Sequence, residues 1–302
     1  MTMKNKIILI DGANIIYSWI FKTRKYILSR TYDNNLIDEN YEWVDNTNFT
    51  RLLKQNAIYS LNIFKKRLKL YGKNSKIYFV RDSFYSSDKE DDNWRKNITQ
   101  SYKEKDDNKK GKVTHCHSVL KTSDIFNYVY TNILPELEKK FKLFSLKIDG
   151  YEADDIIAVI TKKYYIDNNI YIITSDHDFL QLFKYPSVYI YSPYCDNLES
   201  KIVENTDYYE EWQKYNIIDI KIREQLANRF LLKKIIKGDK SDNIKSCFYR
   251  KSEANYYLNN LDELYEKLQI DDILYNKYCK NRQLIDFEYI PEKLYSLIDD
   301  KL

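Results

Sequence analysis

Three short apolar runs, each closing on an aspartate, constrain the fold of this chain more than any other feature of its sequence. The runs and their acids are residues 6–10 with Asp11, residues 77–80 with Asp82, and residues 170–173 with Asp176. Short apolar runs bounded by polar residues are typical of strands buried on both faces of a parallel sheet. Because ligands bind outside the carboxyl ends of such strands, the three acids are candidates for one site.

Amphipathic segments alternate with these runs. Apolar side chains recur three or four residues apart in residues 51–72, and we predict a helix there that Gly72 caps. Residues 126–137 and 153–160 carry similar apolar faces. Strands that alternate with helices predict an α/β fold, in which helices flank a mostly parallel sheet.

The pattern changes twice along the chain. Residues 83–118 are polar, carry charges of both signs and lack apolar periodicity, so we predict an arch or lid inserted there. Beyond Pro193 the strand–aspartate pattern is absent and the sequence becomes mainly helical. We therefore expect an α/β domain at residues 1–193, followed by a smaller, mainly helical domain at residues 194–302.

Composition excludes several classes of protein. Hydrophobic residues make up 43% of the chain, which excludes a disordered protein, and five glycines with four prolines exclude a collagen-like one. The four cysteines are far apart without a C-x-x-C pair, as in proteins of reducing compartments. Asp11 comes too early for a signal peptide, and no apolar run approaches the ~20 residues of a membrane span. We expect a cytoplasmic protein without a membrane partner.

Further acids join those at the strand ends. The full set is nine carboxylates from five segments: Asp11, Asp82, Glu152, Asp154, Asp155, Asp176, Asp178, Asp239 and Asp242. Any one of them alone has an ordinary explanation as a turn former or as a complement to a helix dipole. Like charges packed together are costly unless cations neutralise them, and oxygen-only ligand sets select hard cations such as Mg²⁺ or Mn²⁺. The whole set predicts two metal ions about 4 Å apart, a device for phosphodiester hydrolysis.

The motifs that carry these acids resemble those of a known family. They are I-D-G-A-N at residues 10–14, Y-E-A-D-D at 151–155, S-D-H-D at 175–178 and K-G-D-K-S-D-N at 237–243. In this order they resemble the 5′→3′ exonuclease/flap endonuclease family, which has a PIN-like fold. Residues 179–186 and 284–291, and Trp94-Arg95-Lys96 followed by Tyr102-Lys103, resemble the ribonuclease H group of T-even phages within it.

The resemblance implies a division of the acids between two Mg²⁺ ions, which Mn²⁺ can replace. The first ion would have Asp11, Asp82, Glu152 and Asp154, and the second Asp154, Asp176, Asp178 and Asp239. Asp155 and Asp242 would be outer ligands that act through water. The family also has basic residues that contact the scissile phosphate, which assigns catalytic roles to Lys96 and Lys103. These lysines are seven residues apart, so a helix would put both on one side.

The resemblance also implies nucleic-acid contacts, with one departure from the family pattern. Tyr17 matches a family aromatic that stacks on the terminal base pair, although a core tyrosine is the alternative. Many members have a glycine-rich helical hairpin after G-D-x-S-D-N, and residues 244–251 contain no glycine. We expect a degenerate hairpin in which charge replaces backbone amides, the alternative being an ordinary basic helix face. The candidate residues are Lys233, Lys234, Lys237, Lys240, Lys245, Arg250 and Lys251.

These features together predict a metal-dependent 5′→3′ nuclease that removes RNA primers or 5′ flaps during DNA replication. Its expected partners are duplex DNA, 5′-flap DNA, RNA–DNA hybrid, and a single-stranded-DNA-binding protein or another replisome component. It would act in the host cytoplasm if a phage encodes it. Two alternatives stay open: a catalytically silent nucleic-acid-binding protein, which the intact acid set disfavours, and a PIN-like ribonuclease that acts on RNA, which the long basic second domain disfavours.

Overall fold

A computed structural model describes residues 4–30, 42–70, 74–83, 93–104, 122–193 and 219–302 of the chain. Within these ranges a five-stranded sheet has the order β3-β2-β1-β4-β5, and every neighbouring pair is parallel. The strands are β1 Asn5–Asp11, β2 Ser75–Val80, β3 Leu143–Leu146, β4 Asn168–Ile173 and β5 Val188–Tyr191. The predicted α/β fold is confirmed, and all three apolar runs are neighbouring strands at the centre of the sheet.

Helices cover both faces of the sheet and continue beyond it. The α-helices are α1 Gly12–Leu28, α2 Thr47–Arg67, α3 Thr122–Tyr128, α4 Leu134–Phe141, α5 Ala153–Tyr164, α6 Ile220–Lys237, α7 Lys251–Asn259, α8 Leu261–Ile270, α9 Asp272–Ile285 and α10 Glu292–Asp299. Short 3-10 helices span Trp43–Asp45, Trp94–Asn97, His177–Lys184 and Phe287–Tyr289, and a π-helix spans Val129–Ile133. No helix within the described ranges combines the length and the apolarity that crossing a bilayer requires.

Alternate residues of the strands pack into two apolar cores, one on each face of the sheet. Ile8 and Ile10 of β1 face the core formed with α1 to α4, whereas Ile7 and Leu9 face the core formed with α5. Because both faces of a central parallel strand are buried, every position from 7 to 10 must be apolar. This requirement produces the unbroken runs seen in the sequence.

The predicted helix at residues 51–72 begins and ends earlier than expected. It is α2, which starts at Thr47 because the Asn46 side chain accepts a hydrogen bond from the backbone N–H of Phe49 at 2.9 Å. After Leu68 the chain turns at Lys69, whose φ of 51° is left-handed. The helix therefore stops before Gly72, which lies outside the described residues, and the predicted glycine cap is wrong.

The mainly helical part of the chain is not a wholly separate layer. Helices α6 to α9 pack around a small core of their own that includes Ile236, Phe248 and Leu264. The chain then returns to the sheet, where Leu294 and Ile298 of α10 are completely buried in the core that contains α5. The boundary predicted at residue 193 falls just before residues 194–218, which lie outside the described ranges, so the division into domains stays a prediction.

Residues 93–104, the main described part of the predicted insert, pack against α5 and α9. Residues 93–104 contain the single 3-10 turn Trp94–Asn97 and further turns, and Tyr102 is buried. Lys103 has a left-handed φ of 52°, which a continuous helix does not allow. The predicted helix that would place Lys96 and Lys103 on one side is therefore wrong. Residues 84–92 and 105–118 of the predicted insert lie outside the described ranges.

One glycine shapes the loop between α6 and α7. Gly238 has a φ of +69°, and a Cβ at this position would lie 2.4 Å from the carbonyl oxygen of Ile244. Asp239 and Ile244 exchange backbone hydrogen bonds of 2.9 and 2.7 Å, which close the loop. A side chain at residue 238 would force this loop apart, and the loop carries both Asp239 and Asp242.

Candidate metal centre

The Thr174 hydroxyl links the acid at the end of β1 to the acid that follows β4. Asp11 ends β1, and its carboxylate accepts one hydrogen bond from the backbone N–H of Asn14 at 3.2 Å and another from the Thr174 hydroxyl at 2.9 Å. The Thr174 oxygen in turn accepts from the backbone N–H of Asp176 at 2.9 Å. Thr174 therefore fixes the acid after β1 relative to the acid after β4.

Asp82 joins β2 to the start of α5. Its carboxylate accepts a hydrogen bond at 2.8 Å from the backbone N–H of Ala153, the first residue of that helix. Glu152 is the N-cap residue of α5, and Asp154 lies in its first turn. Carboxylates are stabilised there because the N-terminus of a helix carries a partial positive charge.

A compact group of three acids, Asp178, Asp239 and Asp242, lies between the sheet and the helical part of the chain. Asp176 caps the short helix that carries Asp178, accepting from the backbone N–H of Asp178 at 2.9 Å. One carboxylate oxygen from each of Asp178, Asp239 and Asp242 lies within 4.8 Å of the other two. This spacing suits a single hard cation, whose oxygen ligands sit about 2.0–2.6 Å from it.

Burial and crowding raise the pKa values of these carboxyls. Burial and then the charge of Asp82 raise the pKa of Asp11 to about 7. Burial also raises the pKa of Asp178 and that of Asp242 to about 6. The pKa values of Asp82 and Asp176 are raised as well, again mainly by burial. Such carboxyls fit a metal site, because a cation favours their charged form.

Lys103 supplies positive charge on one side of the acids. Its Nζ lies 2.8 Å from Oε2 of Glu152 and 3.7 Å from Oδ1 of Asp242. Burial opposes the charge of Lys103, but the two carboxylates outweigh it and raise the lysine pKa. The structure thus brings one of the two predicted catalytic lysines to the acids, whereas Lys96 is half-buried in the 3-10 turn at Trp94–Asn97.

Lys234, one of the predicted nucleic-acid-binding residues, lies among the acids. Its Nζ forms ion pairs with Asp178 and, at 2.7 Å, with Asp239. The carboxylates outweigh burial and raise the pKa of Lys234, while the hydrogen bonds from Lys234 and Ser241 outweigh burial and lower the pKa of Asp239. The side chain of Lys234 therefore points from α6 into the acidic group, and its role in nucleic-acid binding stays a prediction.

Asp155 is the buried partner of Arg95, and its role as an outer metal ligand stays a prediction. It is completely buried, and its carboxylate receives the guanidinium of Arg95 at 2.7 and 2.9 Å and the indole N–H of Trp94 at 3.0 Å. Arg95 also donates to the carbonyl oxygen of Leu284 at 2.9 Å. Both oxygens of Asp155 are occupied by these bonds, which join the insert, α5 and α9.

Sequence reasoning assigned no role to several residues that hold Glu152 in place. The side-chain amide of Asn93 donates to Oε1 of Glu152 at 2.9 Å, and the hydroxyl of Tyr102 donates to Oε2 at 3.2 Å. Arg95 adds a longer ion pair to Glu152 at 3.7 Å. The available signal was Arg95 directly after Trp94 within a polar segment; the two side chains do form a cation–π contact, with the guanidinium 4.6 Å from the ring centroid.

The other basic candidates surround α6 and the loop that follows it. Lys233 and Lys237 line a cleft of about 1080 Å³ together with Arg229 and Arg282. Burial, Lys233 and Lys251 all lower the pKa of Lys237. The remaining candidates are exposed, and they are Lys240, Lys245, Arg250 and Lys251.

Tyr17 lies on the outer part of α1 with its side chain partly exposed. Its ring is stacked 6.2 Å from that of Phe21 and contacts Phe126 edge-on at 5.0 Å. At 40% exposure it is not a core tyrosine, so the alternative interpretation of this residue fails. Its stacking on a base pair stays a prediction.

The sequence of this chain matches the family described as 5′-3′ exonuclease, N-terminal resolvase-like domain, over residues 6–213. The chain belongs to this family. Among curated relatives, ribonuclease H of Enterobacteria phage T4 is 31% identical over 185 residues, covering 55% of this chain and 53% of the phage protein. The chain thus spans about half the length of that relative. A 5′-3′ exonuclease of Mycoplasmopsis pulmonis is 26% identical over 275 residues, covering 89% of this chain and 72% of the relative.

Solved structures share the fold of this 5′-3′ exonuclease family member. The T5 D15 protein co-crystallised with metal ions superimposes with a TM-score of 0.56 at 14% identity, covering 98% of this chain and 97% of that one. The bacteriophage T5 flap endonuclease in a pseudo-enzyme–product complex with DNA and metal ions has a TM-score of 0.53 at 15% identity, with 98% of both chains covered. At this identity the likeness concerns the fold.

Replacement of Arg95 tests its role as the anchor of this site. Arg95→Met should lower the free energy of unfolding by about 3–5 kcal/mol, because it leaves the buried carboxylate of Asp155 without its partner. Lys54→Met is the matched control: it breaks the exposed ion pair with Glu136 and should cost at most about 1 kcal/mol. Urea unfolding of both variants makes the measurement. Equal costs would contradict the anchoring role.

Because the pKa of Asp11 is raised, we predict that removing its charge stabilises the folded protein by an amount that depends on pH. The pKa of folded Asp11 is about 7 against an ordinary value of 3.8, so its protonation favours the folded state; this contribution is fully present below about pH 3.8 and is lost progressively as pH rises to about 7. In EDTA, Asp11→Asn should therefore be more stable than the parent at pH 8, by on the order of a few kcal/mol, and this gain in stability should be less than half as large at pH 5. Thermal unfolding at the two pH values checks this, and a gain that does not depend on pH would refute it.

Proposed function

We propose that this protein is a metal-dependent 5′→3′ nuclease that removes RNA primers or 5′ flaps during DNA replication. The observation that carries the proposal is the convergence of acids from separate segments on one edge of the sheet, with raised pKa values at Asp11, Asp178 and Asp242. Crowded carboxyls of this kind are costly to keep unless they bind cations, and this family is one of nucleases.

The donor set fits two Mg²⁺ ions, which Mn²⁺ could replace. Asp11, Asp82, Glu152 and Asp154 would hold the first. Asp178 and Asp239, with Asp154 and Asp176, would hold the second. Asp242 is within reach of Asp178 and Asp239, so it joins the second group as a direct candidate. Bound ions of this class activate a water and stabilise the charge that develops on a phosphate.

The residues of the chain prepare this site for an anionic substrate. Lys103 is held at the edge of the acids by Glu152 and Asp242, where it could donate to a non-bridging oxygen of the scissile phosphate. Asn93, Tyr102 and Arg95 fix Glu152, so that the carboxylate does not need to reorganise when substrate arrives. Such preorganisation is worth more in a partly buried site than in water.

Basic side chains on the helical part of the chain would hold the rest of the nucleic acid. The cleft beside α6 presents Arg229, Lys233, Lys237 and Arg282, and none of the described residues that line it is acidic. A groove of one charge sign attracts a phosphate backbone irrespective of its sequence. Tyr17 would stack on the terminal base pair. The substrates we expect are 5′-flap DNA, RNA–DNA hybrid and their adjoining duplexes, and a single-stranded-DNA-binding protein or another replisome component is an expected partner.

The two alternatives predict different behaviour. A silent binding protein has no need to keep this many crowded acids, because each one weakens its attraction for a polyanion. A ribonuclease specific for RNA alone would cleave single-stranded RNA and leave a DNA flap intact. We expect the protein to act in the cytoplasm of the cell in which it is made. The free thiols of Cys247 and Cys279 accord with a reducing compartment.

The proposed function is tested by one set of digestions. Labelled 5′-flap DNA, nicked RNA–DNA hybrid and single-stranded RNA are incubated side by side with Mg²⁺ or with EDTA. We expect the first two substrates to be cleaved with Mg²⁺ and to stay intact with EDTA. Asp82→Asn should abolish it, because the change removes a metal-ligand charge, whereas the exposed Asp45→Asn should not. Full activity of Asp82→Asn, or activity in EDTA, would refute the metal-dependent proposal.

Lys103→Ala tests the catalytic lysine separately from docking. Cleavage at saturating substrate should slow by ~10²-fold, an effect like the loss of one transition-state donor. Affinity for the substrate should change little, because one phosphate contact among many contributes modestly. Single-turnover rates and binding isotherms separate the two effects, with Lys140→Ala on α4 as the control. A weaker affinity with a normal rate would make Lys103 a docking residue.

A further inference from the structure

A second cleft, of about 500 Å³, lies between the insert and the helical part of the chain. One wall comes from residues 99–101 of the insert, another from the loop at residues 243–249, and the third from α9. It adjoins the acidic site. The backbone N–H of Lys103 donates to the carbonyl oxygen of Asp242 at 3.0 Å, and the side-chain amide of Asn243 donates to the carbonyl oxygen of Ser101 at 2.9 Å.

Three lysines line this cleft. Lys277 and Lys280 are three residues apart on α9 and so share a face of that helix, and Lys245 lies on the loop opposite. All three are exposed. The other polar residues on its walls include Thr99, Ser101 and Ser246, and none of the described lining residues is acidic. We call this cleft, which Lys245, Lys277 and Lys280 line, the lysine cleft.

Buried hydrogen bonds hold the backbone of the lysine cleft in place. The side chain of Asn281, which is buried on α9, donates to the carbonyl oxygen of Lys245 at 2.8 Å and to that of Ile235 at 2.9 Å. The hydroxyl of Ser246 donates to the carbonyl oxygen of Ile236 at 3.1 Å. The loop that carries Lys245 is thus tied to both α6 and α9, and the backbone positions of the three lysines keep a fixed relation.

We propose that the lysine cleft binds a backbone phosphate of the nucleic-acid substrate, a few nucleotides from the scissile one. Three ammonium groups and neighbouring hydroxyls, with no carboxylate among the described lining residues, form a site whose chemistry suits a phosphodiester. Because the cleft and the acidic site share the segment from Asp242 to Lys245, one strand can occupy both. The proposal rests on the proposed function. It assigns to Lys277 and Lys280 the phosphate contact that the sequence predicts for Arg250 and Lys251, which do not line the cleft.

Charge removal on α9 tests the lysine cleft. The double variant Lys277→Gln with Lys280→Gln is compared with Lys139→Gln with Lys140→Gln, which removes the same charge from exposed positions of α4. Binding of a fluorescent duplex DNA with a 5′ overhang is measured in EDTA, from about 50 to about 200 mM salt. The slope of log affinity against log salt should become shallower by about 0.9 for each phosphate that the α9 variant no longer neutralises. The α4 variant should keep the parent slope.

A second measurement locates the phosphate. Single methylphosphonate linkages, which carry no charge, are placed one at a time along each strand of the same duplex. The parent protein should lose affinity at one or two adjacent positions, and the α9 variant should be insensitive at those positions. An unchanged salt slope, an equal effect of the α4 variant, or an unchanged methylphosphonate profile would each overturn the inference.

The outcomes also separate this inference from the proposed function. If the parent cleaves 5′-flap DNA in Mg²⁺ but the α9 variant binds as the parent does, the lysine cleft is wrong and the nuclease stands. If binding depends on Lys277 and Lys280 as expected but no substrate is cleaved, the nuclease proposal fails and the cleft remains a nucleic-acid site.

Discussion

Mutual repulsion among carboxylates is the constraint to which the rest of this structure responds. Acids from β1, β2, α5, the turn after β4 and the loop after α6 meet at one edge of the sheet, and burial intensifies their repulsion. The fold meets this cost with positive charge from several directions: Lys103 from the insert, Lys234 from α6 and the N-terminus of α5. The two lysines pair with carboxylates that the proposed metals would also need, so cations of both kinds compete for the same oxygens.

Arg95 connects this electrostatic problem to the tertiary structure. One buried guanidinium binds Asp155 at the start of α5 and the carbonyl oxygen of Leu284 at the end of α9, while its own backbone belongs to the insert. Three segments remote in sequence are therefore fixed relative to one another by a single side chain. Because Glu152 and Asp154 lie within the same turn as Asp155, fixing that turn also fixes two candidate metal ligands.

Charge of opposite sign is segregated on neighbouring surfaces. The lysine cleft adjoins the acidic edge of the sheet, another cleft lies on the helical part, and the described lining of each cleft contains basic residues without acids. Such a division would let a polyanion be held by the helical part while the acids bind only metal and one phosphate. The absence of glycine from residues 244–251 accords with this arrangement, because charged side chains reach a phosphate that backbone amides blocked by Cβ atoms cannot approach.

Elements with local signals could be predicted from the amino-acid order alone. Unbroken apolar runs identified the central strands because both faces of those strands are buried, and the strand-end acids followed from chain order. Spacing alone did not show that Lys103 adopts a left-handed backbone, that Lys234 turns into the acids, or that Asp155 pairs with Arg95, sixty residues away. Those outcomes depend on which charges meet after folding. A buried carboxylate pairs with the cation nearest to it in space, and the packing of remote segments, which no local pattern records, selects that residue.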